Sequence, residues 1–270
     1  MKYALIGEHL GHSYSKIIHE ALYKKLGIDA SYDLIECKPD ELEDVLNKLR
    51  NGEYQGYNVT IPYKKEVFAY AERISDEEWK IASTNTVLVK DDNKLWAYNT
   101  DYYGFIDMVN HYNIDFKNKN VFILGTGGAS LAIKAATLDL GGKYKFVSRK
   151  IDYTIAHDDK ITYEDLEKIE DIDIIINTTP VGMYPNVGVS PIKEEISKRA
   201  KVVIDIIFNP RKTKLLQDAN SNYDGLYMLV SQAVRSDEIW QNKKFDIDMD
   251  EFVREIEEMI FWIHSEDYLE

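Results

Sequence analysis

Residues 121–149 read VFILGTGGASLAIKAATLDLGGKYKFVSR. Val121 to Leu124 form a short continuous apolar run, the pattern of a strand covered on both faces, and Gly125-Thr126-Gly127-Gly128 interrupts it at once. Ala129, Ala132, Ala135 and Ala136 then recur as a small-residue helical stripe, Gly141-Gly142 ends it, and Tyr144 to Val147 predicts a second strand. Strand, glycine turn, helix and strand make half of a dinucleotide-binding unit. Glycines let the backbone approach a pyrophosphate, and the helix start offers unpaired N–H groups at the positive end of its dipole. Gly125, Thr126, Gly127, Gly128 and Ala129 are therefore cofactor-binding candidates, with phosphate over Gly127 and Gly128. Ser130 stands where the G-x-G-x-x-G pattern has its third glycine, so on this string alone a purely structural tight turn is the competing explanation.

The end of the second strand separates the nucleotides. An NAD site carries an acid there for the ribose hydroxyls, whereas this chain has Ser148-Arg149-Lys150, and a basic pair suits a ribose 2′-phosphate. Arg149 is the planar donor expected to read that phosphate, which makes NADP the predicted cofactor.

The 270 residues are 44% hydrophobic and 30% charged, enough for a large core and more than one domain usually contains, so two domains are expected. A formal charge of -14 argues against nucleic acid as a partner, and any anionic ligand must be met by local donors. The one cysteine, Cys37, permits no internal disulfide. Apolar runs fall short of a membrane span, and the N-terminal one is too short for a signal peptide. A cytoplasmic protein without a membrane partner is expected. The six histidines show no paired metal spacing, so no metal is expected.

Outward from the central stretch, Tyr3 to Ile6 predicts a strand, and a loop leads to Ser13-Tyr14-Ser15 and a helix bearing Ile18, Ala21, Leu22 and Leu26. Ser15 reads by default as the helix N-cap, although two serines bracketing one residue can also aim both hydroxyls at a ligand. Tyr32 to Ile35 is a further strand, and Pro39 opens a helix reaching Leu49. The strand from Gly56 ends at Pro62, and the next helix opens at Lys64, by default a solvated lysine. Asn85 to Val89 pairs with Lys94 to Tyr98 through Asp91-Asp92-Asn93, and Asp101 reads by default as the cap of the helix that follows. Ile172 to Ile176 and Val202 to Ile207 are predominantly apolar runs, as expected of strands covered on both faces. Ligands of open α/β sheets collect beyond such carboxyl ends, so Thr178 and Ile206 are expected beside the cofactor, and Gly225, preceding another helix, joins that set. The last helix, with Phe252, Ile256, Met259 and Ile260 at helical spacing, is a packing helix with an acidic face.

Several stretches in this order resemble the signatures of the shikimate dehydrogenase family. They are Ser13-Tyr14-Ser15 with His19 after it, Asn58-Val59-Thr60-Ile61-Pro62-Tyr63-Lys64, Asn85-Thr86, Asn99-Thr100-Asp101, the Gly125 to Ala129 turn, Asn177-Thr178-Thr179-Pro180-Val181-Gly182-Met183 and Met228-Leu229-Val230-Ser231-Gln232. Together they span most of the chain, and their order is far more specific than any one of them. The resemblance implies an α/β chain of two domains: an N-terminal α/β substrate domain (1–101 plus 231–270) and a Rossmann-like, doubly wound parallel-sheet NADP domain (102–230), with the active cleft between them. It implies that Ser13, Ser15, Thr60, Asn85, Asp101 and Gln232 hold the hydroxyls and carboxylate of a shikimate-like acid, and that Lys64 and Asp101 are the catalytic pair.

The implied reaction is reversible hydride transfer between NADPH and 3-dehydroshikimate to give shikimate, on the route to chorismate and the aromatic amino acids. An ammonium and a neighbouring carboxylate suit a ketone that becomes an alkoxide. A monomer or homodimer is expected. The chain departs from the family at three places. Ser148-Arg149-Lys150 and then Asp152-Tyr153 replace an Asn-Arg-Thr with a further basic residue, the segment Lys150 to Asp171 is short, and Phe208 stands where tyrosine is usual. Asp152 near the ribose favours the alternative of a quinate/shikimate dehydrogenase accepting NAD. A non-catalytic NADP- and metabolite-binding regulator is a third reading, against which Lys64 and Asp101 count.

Overall fold

The computed structural model describes residues 1–11, 13–151 and 160–267. His12, Asp152 and Tyr153 lie outside the described residues, so the NAD alternative drawn from Asp152 has no structural counterpart here. The chain forms two compact units, Met1–Gly104 with Val230–Glu270, and Phe105–Leu229.

The first stretch supplies β1 (Lys2–Gly7), α1 (Ser15–Leu26), β2 (Ser31–Glu36), a 3-10 turn at Pro39–Glu41 running into α2 (Leu42–Arg50), β3 (Gly56–Val59), α3 (Lys64–Tyr70), β4 (Arg73–Ile74), α4 (Asp76–Ile81), the hairpin β5 (Thr86–Val89) and β6 (Leu95–Tyr98), and α5 (Thr100–His111). Then come β7 (Asn120–Leu124), α6 (Gly128–Asp139), β8 (Lys143–Ser148), β9 (Lys160–Thr162), α7 (Tyr163–Glu167), β10 (Ile172–Asn177), α8 (Glu194–Arg199), β11 (Ala200–Asp205), α9 (Lys214–Asp218) and β12 (Asn222–Asp224). Helix α10 (Leu226–Trp240) leads back to the first unit, and α11 (Met249–Asp267) closes the chain.

The sheet of the first unit has the order β2-β1-β3-β5-β6-β4. It is mixed: β1 runs parallel to β2 and β3, whereas β5 runs antiparallel to β3 and β6. Alternation along β1 sends Ala4 and Ile6 into a core with Leu42 and Leu46 of α2 and Val67 of α3, and Tyr3 and Leu5 into another with Tyr23, Tyr32 and Trp240. The same alternation along β3 gives Tyr57 and Val59 to the first core and turns Asn58 toward Tyr32. A buried amide on that face needs polar partners, and the site described below supplies them. Trp240 closes the same face over Gly56, where a Cβ would come within 2.3 Å of the indole Nε1, and that nitrogen donates to the Val87 carbonyl at 3.1 Å.

The sheet of the second unit has the order β12-β11-β10-β7-β8-β9 and is parallel throughout. Counted from β7, that is the doubly wound order 3-2-1-4-5-6 read from β9 to β12. Its switch point lies between β7 and β10, where the chain leaves in opposite directions. Every residue of β10 is buried, Asp173 and Asn177 included, as expected of a strand covered on both faces.

Candidate active site

In the first unit, β3 ends and α3 begins with Lys64, while α5 begins beside the end of β6. Asn99 Oδ1 accepts the Tyr102 N–H at 3.3 Å, so Asn99 caps α5, and the default reading of Asp101 as the cap is corrected. The Asp101 carboxylate instead accepts from Lys64 Nζ on Oδ2 and from Asn85 Nδ2 at 3.0 Å on Oδ1. The two charged side chains are only 14% and 9% exposed, which corrects the reading of Lys64 as a solvated surface lysine.

Asn85 is oriented without ambiguity, because the Thr100 N–H can only donate and does so to Asn85 Oδ1 at 2.6 Å. Its amide nitrogen must then face Asp101 and also Gln232 Oε1, at 3.2 Å. Gln232 Oε1 accepts a second bond from Thr100 Oγ1 at 3.3 Å. Lys64, Asp101, Asn85 and Gln232 are thus one hydrogen-bonded group. An ammonium held by a carboxylate whose other oxygen is also occupied is fixed in position and chemically able to give up a proton.

Behind this group lies polar support to which the sequence alone assigned no role. Ser236 Oγ meets Asn58 Nδ2 at 2.8 Å, Thr86 Oγ1 at 2.9 Å and Thr100 Oγ1 at 3.1 Å, and Asn58 Oδ1 accepts from Tyr32 at 2.7 Å. The signal was present in the repeated Asn-Thr pairs, since the register Thr86↔Tyr98 brings Asn85-Thr86 beside Asn99-Thr100. Burial pushes the Tyr32 phenol well above its ordinary pKa, the charge of Asp237 adds to this, and the Ser15 hydroxyl opposes it.

Ser15 is the first residue of α1 and not its cap, as the default reading had it. Its N–H donates to Ser13 Oγ at 3.2 Å, and Ser13 Oγ donates to Ser15 Oγ at 3.2 Å, so the two hydroxyls lie together at the start of the helix. Thr60, half-buried, continues β3, and its N–H donates to the Ile6 carbonyl at 3.0 Å. Gly7 makes that approach possible, because a Cβ there would lie 2.7 Å from Thr60 Cγ2.

In the second unit the glycine turn sits at the switch point. Gly125 has φ +103°, in the left-handed region that disfavours side chains, and a Cβ on it would lie 2.9 Å from Thr179 Cγ2 and 3.1 Å from Thr178 Oγ1. Thr178 Oγ1 donates to the Leu124 carbonyl at 2.6 Å, so the loop after β10 packs directly on the turn. Gly127 occupies the N-cap of α6, and a Cβ there would meet nothing within 4 Å. Exposed Thr126 precedes it, and α6 opens with Gly128 and Ala129 and has no acid in its first turn. Open space over unpaired N–H groups without a competing carboxylate fits a dinucleotide pyrophosphate. Ser130 accounts for the missing third glycine, since its buried hydroxyl donates to the Gly127 carbonyl at 2.6 Å and ties the turn to the helix.

Ser148 ends β8 and donates to the Lys150 carbonyl at 2.9 Å, leaving Arg149 and Lys150 exposed at the sheet edge. Burial raises the Tyr163 phenol, and the nearby positive charge of Arg149 opposes that rise. Ile206 follows β11, and Gly225 follows β12 with its N–H donating to the Ile207 carbonyl at 3.3 Å. The expected cofactor residues Gly125, Thr178, Ile206 and Gly225 therefore line the carboxyl ends of neighbouring strands. Phe208 is half-buried just after β11.

Asp205, fully buried at the end of β11, organises this edge and was not anticipated. Its Oδ1 accepts from Asn177 Nδ2 at 3.0 Å and the Ile207 N–H at 3.1 Å, and its Oδ2 from Thr213 Oγ1 at 2.7 Å. Burial raises its pKa from 3.8 to about 6, against the pull of those donors and with a further push from Asp224. Because the folded carboxyl keeps its proton to higher pH than the unfolded chain does, its contribution to stability is largest below the unfolded value and is lost as pH rises toward about 6. Asp205→Asn keeps the accepting oxygen, and Thr213 can rotate to accept from the new amide. The thermal stability of the variant relative to wild type should therefore improve between about pH 4 and pH 7, by up to about 3 kcal/mol for a shift of about two units. Parallel melting curves across that range check it, and a pH-independent difference would refute the assignment.

Among the described residues, no helix is long and apolar enough to cross a membrane, and no group of three or more His, Cys, Asp or Glu side chains could hold a metal ion. Residues 5–87 match the model of the shikimate dehydrogenase substrate-binding domain. The chain is 44% identical over 252 residues to the shikimate dehydrogenase (NADP(+)) of Clostridium beijerinckii, covering 90% of this chain and 93% of that protein. It is 39% identical to the enzyme of the same name from Clostridium perfringens (strain SM101 / Type A), over 94% of this chain and 97% of that one. The crystal structure of shikimate dehydrogenase 1 from Peptoclostridium difficile superposes with a TM-score of 0.87 at 40% identity, covering 95% of this chain and 97% of that chain. With a doubly wound parallel unit, a buried lysine–aspartate pair and relatives of this identity over nearly its whole length, the chain belongs to the shikimate dehydrogenase family.

Proposed function

We propose that this chain catalyses the reversible NADP-dependent interconversion of 3-dehydroshikimate and shikimate. The observation that carries the reading is the buried contact between Lys64 and Asp101. NADPH, when bound, supplies the hydride. The backbone of Gly125 to Ala129 holds its pyrophosphate, Ser148, Arg149 and Lys150 its ribose phosphate, and Thr178, Ile206 and Gly225 line the remainder. Negative charge grows on the substrate oxygen as its carbonyl is reduced, and the Lys64 ammonium stabilises that charge and then gives up a proton to it. Asp101 keeps the ammonium in place, and in the reverse direction the same nitrogen takes the hydroxyl proton. Ser13, Ser15, Thr60, Asn85, Asp101 and Gln232 hold the hydroxyls and carboxylate of the acid.

On this reading, residues 1–101 with 231–270 are the substrate domain and 102–230 the NADP domain. The protein works in the cytoplasm, as a monomer or homodimer, on small molecules and not on nucleic acid. Initial rates with shikimate and with quinate, each with NADP+ and NAD+, test the proposal. Shikimate with NADP+ should give the highest kcat/KM, and a higher value for quinate with NAD+ would overturn it.

Arg149 carries the cofactor choice. Replacing it with Leu should raise the KM for NADP+ by about tenfold or more and that for NAD+ by much less, as loss of a charge-assisted bond to phosphate predicts. Equal weakening of both cofactors would mark the arginine as structural.

A further inference from the structure

One buried titratable pair has no part in the reaction described above. His19 of α1 and Asp237 of α10 are both fully buried, and His19 Nδ1 lies 2.5 Å from Asp237 Oδ2. The other carboxylate oxygen accepts from the Tyr23 hydroxyl at 2.9 Å. The imidazole stacks on Tyr32 with ring centres 4.0 Å apart and planes 7° apart, and its Nε2 has no hydrogen-bond partner among the described residues. A single polar contact and a stacking face therefore fix the ring.

The placement of this pair matters more than its burial. Ser15 lies one helical turn before His19, so the pair grips α1 just behind the two serine hydroxyls. On α10 Asp237 follows Ser236, which bonds Asn58, Thr86 and Thr100, and α10 also carries Gln232, whose oxygen meets Asn85 and Thr100. The His19–Asp237 contact thus ties the helix behind Ser13 and Ser15 to the helix that carries Gln232. Lys64 and Asp101 sit on other helices, α3 and α5. Burying a histidine and a carboxylate stabilises a fold no better than a well-packed apolar pair, and the best-attested use of such polar contacts is to fix one register between elements.

We infer that His19 and Asp237 are a positioning pair for substrate recognition: they set α1 against α10 so that the serine pair and Gln232 meet the same acid. The inference rests on the function proposed above. The pair touches neither the reacting atoms nor the cofactor turn, so its loss should appear in substrate binding before it appears in turnover.

The full-length chain and its single variants test this in steady-state assays with shikimate and NADP+. An asparagine amide nitrogen stands where Nδ1 stands, and a glutamine nitrogen where Nε2 stands, so His19→Asn keeps the donor toward Asp237 and His19→Gln loses it. His19→Gln should raise the KM for shikimate about tenfold or more, while kcat stays within about threefold and the KM for NADP+ within about twofold. His19→Asn should recover most of that loss. Tyr23→Phe removes one bond to Asp237 and little volume, and should raise the shikimate KM roughly threefold. Equal rises in both KM values, a fall in kcat as large as the rise in KM, or no advantage of Asn over Gln would overturn the inference. Should the His19 variants fail to fold by circular dichroism, Tyr23→Phe decides alone, and an unchanged shikimate KM for it refutes the positioning role. A wild-type protein inactive on shikimate sinks the functional reading together with this one, whereas an active wild type with flat ratios sinks only the inference.

Discussion

Lys64→Met should lower kcat by about a hundredfold or more, the scale of a positioned proton donor. The methionine fills most of the space of the lysine, so packing around α3 is kept and the lost element is the ammionium charge at Asp101. A buried carboxylate then remains with Asn85 as its chief donor, and that residual charge destabilises the fold as well. The double variant Lys64→Met/Asp101→Asn separates the two effects. It removes both charges, so stability should return toward wild type while turnover stays as low as in the single variant, because residues acting as one unit do not contribute additively. Urea denaturation and initial rates on the same preparations read both quantities. Recovery of turnover with recovery of stability would mean that Lys64 serves the fold and not the chemistry.

The second large effect is expected at Gly225. Its φ is not in the left-handed region, so the constraint there is spatial: a Cβ would lie 2.1 Å from the Ile206 carbonyl oxygen and 2.5 Å from its carbon. The backbone of Ile206, just past the end of β11, cannot rotate out of the way as a flexible side chain can. Gly225→Ala must therefore push the start of α10 away from β11, at a cost at or above the roughly 1–3 kcal/mol typical of overpacking. The first melting transition should fall by on the order of 10 °C. The KM for NADP+ should rise as well, since Ile206 and Gly225 belong to the same strand edge as Thr178. An alanine variant with wild-type melting and cofactor binding would show that this edge yields more easily than its geometry suggests.

Much of the second unit was legible because its strands are covered on both faces. Val121 to Leu124, Ile172 to Ile176 and Val202 to Ile207 are apolar except for Asp173 and Asp205, and the glycine turn after the first is a backbone requirement that sequence displays directly. The edge strands β9 and β12 and the short helices α7 and α9 were not legible, since three to five residues are too few for a hydrophobic pattern to repeat. In the first unit the defaults at Ser15, Lys64 and Asp101 failed for related reasons. A serine, lysine or aspartate at a helix start is read from its neighbours in the chain, yet Asn99 had already capped α5, and the partners of Lys64 and Asp101 are remote in sequence. The resemblance to a family singled out those residues where local rules could not. Ser236 and Asp205 escaped both, and Asn58 stood in a family-like stretch without a role, because each is a polar residue whose role exists only once distant elements are packed.

The first unit is interrupted in the chain, and this sets an order on its making. Residues 105–229 form the second unit as one continuous segment, whereas α10 and α11 reach the first unit only after that segment has been synthesised. Until then Gly56 has no Trp240 above it, Asn58 lacks Ser236 and His19 lacks Asp237, so one face of an otherwise formed sheet stays uncovered and its polar groups lack part of their final partners. The segment that emerges second can close before the segment that emerges first, the reverse of the usual progression along a growing chain. A ribosome that stops within residues 105–229 therefore leaves the first unit without α10 and α11, and the hydrogen-bonded group of Lys64, Asp101, Asn85 and Gln232 forms only once the chain has grown past α10.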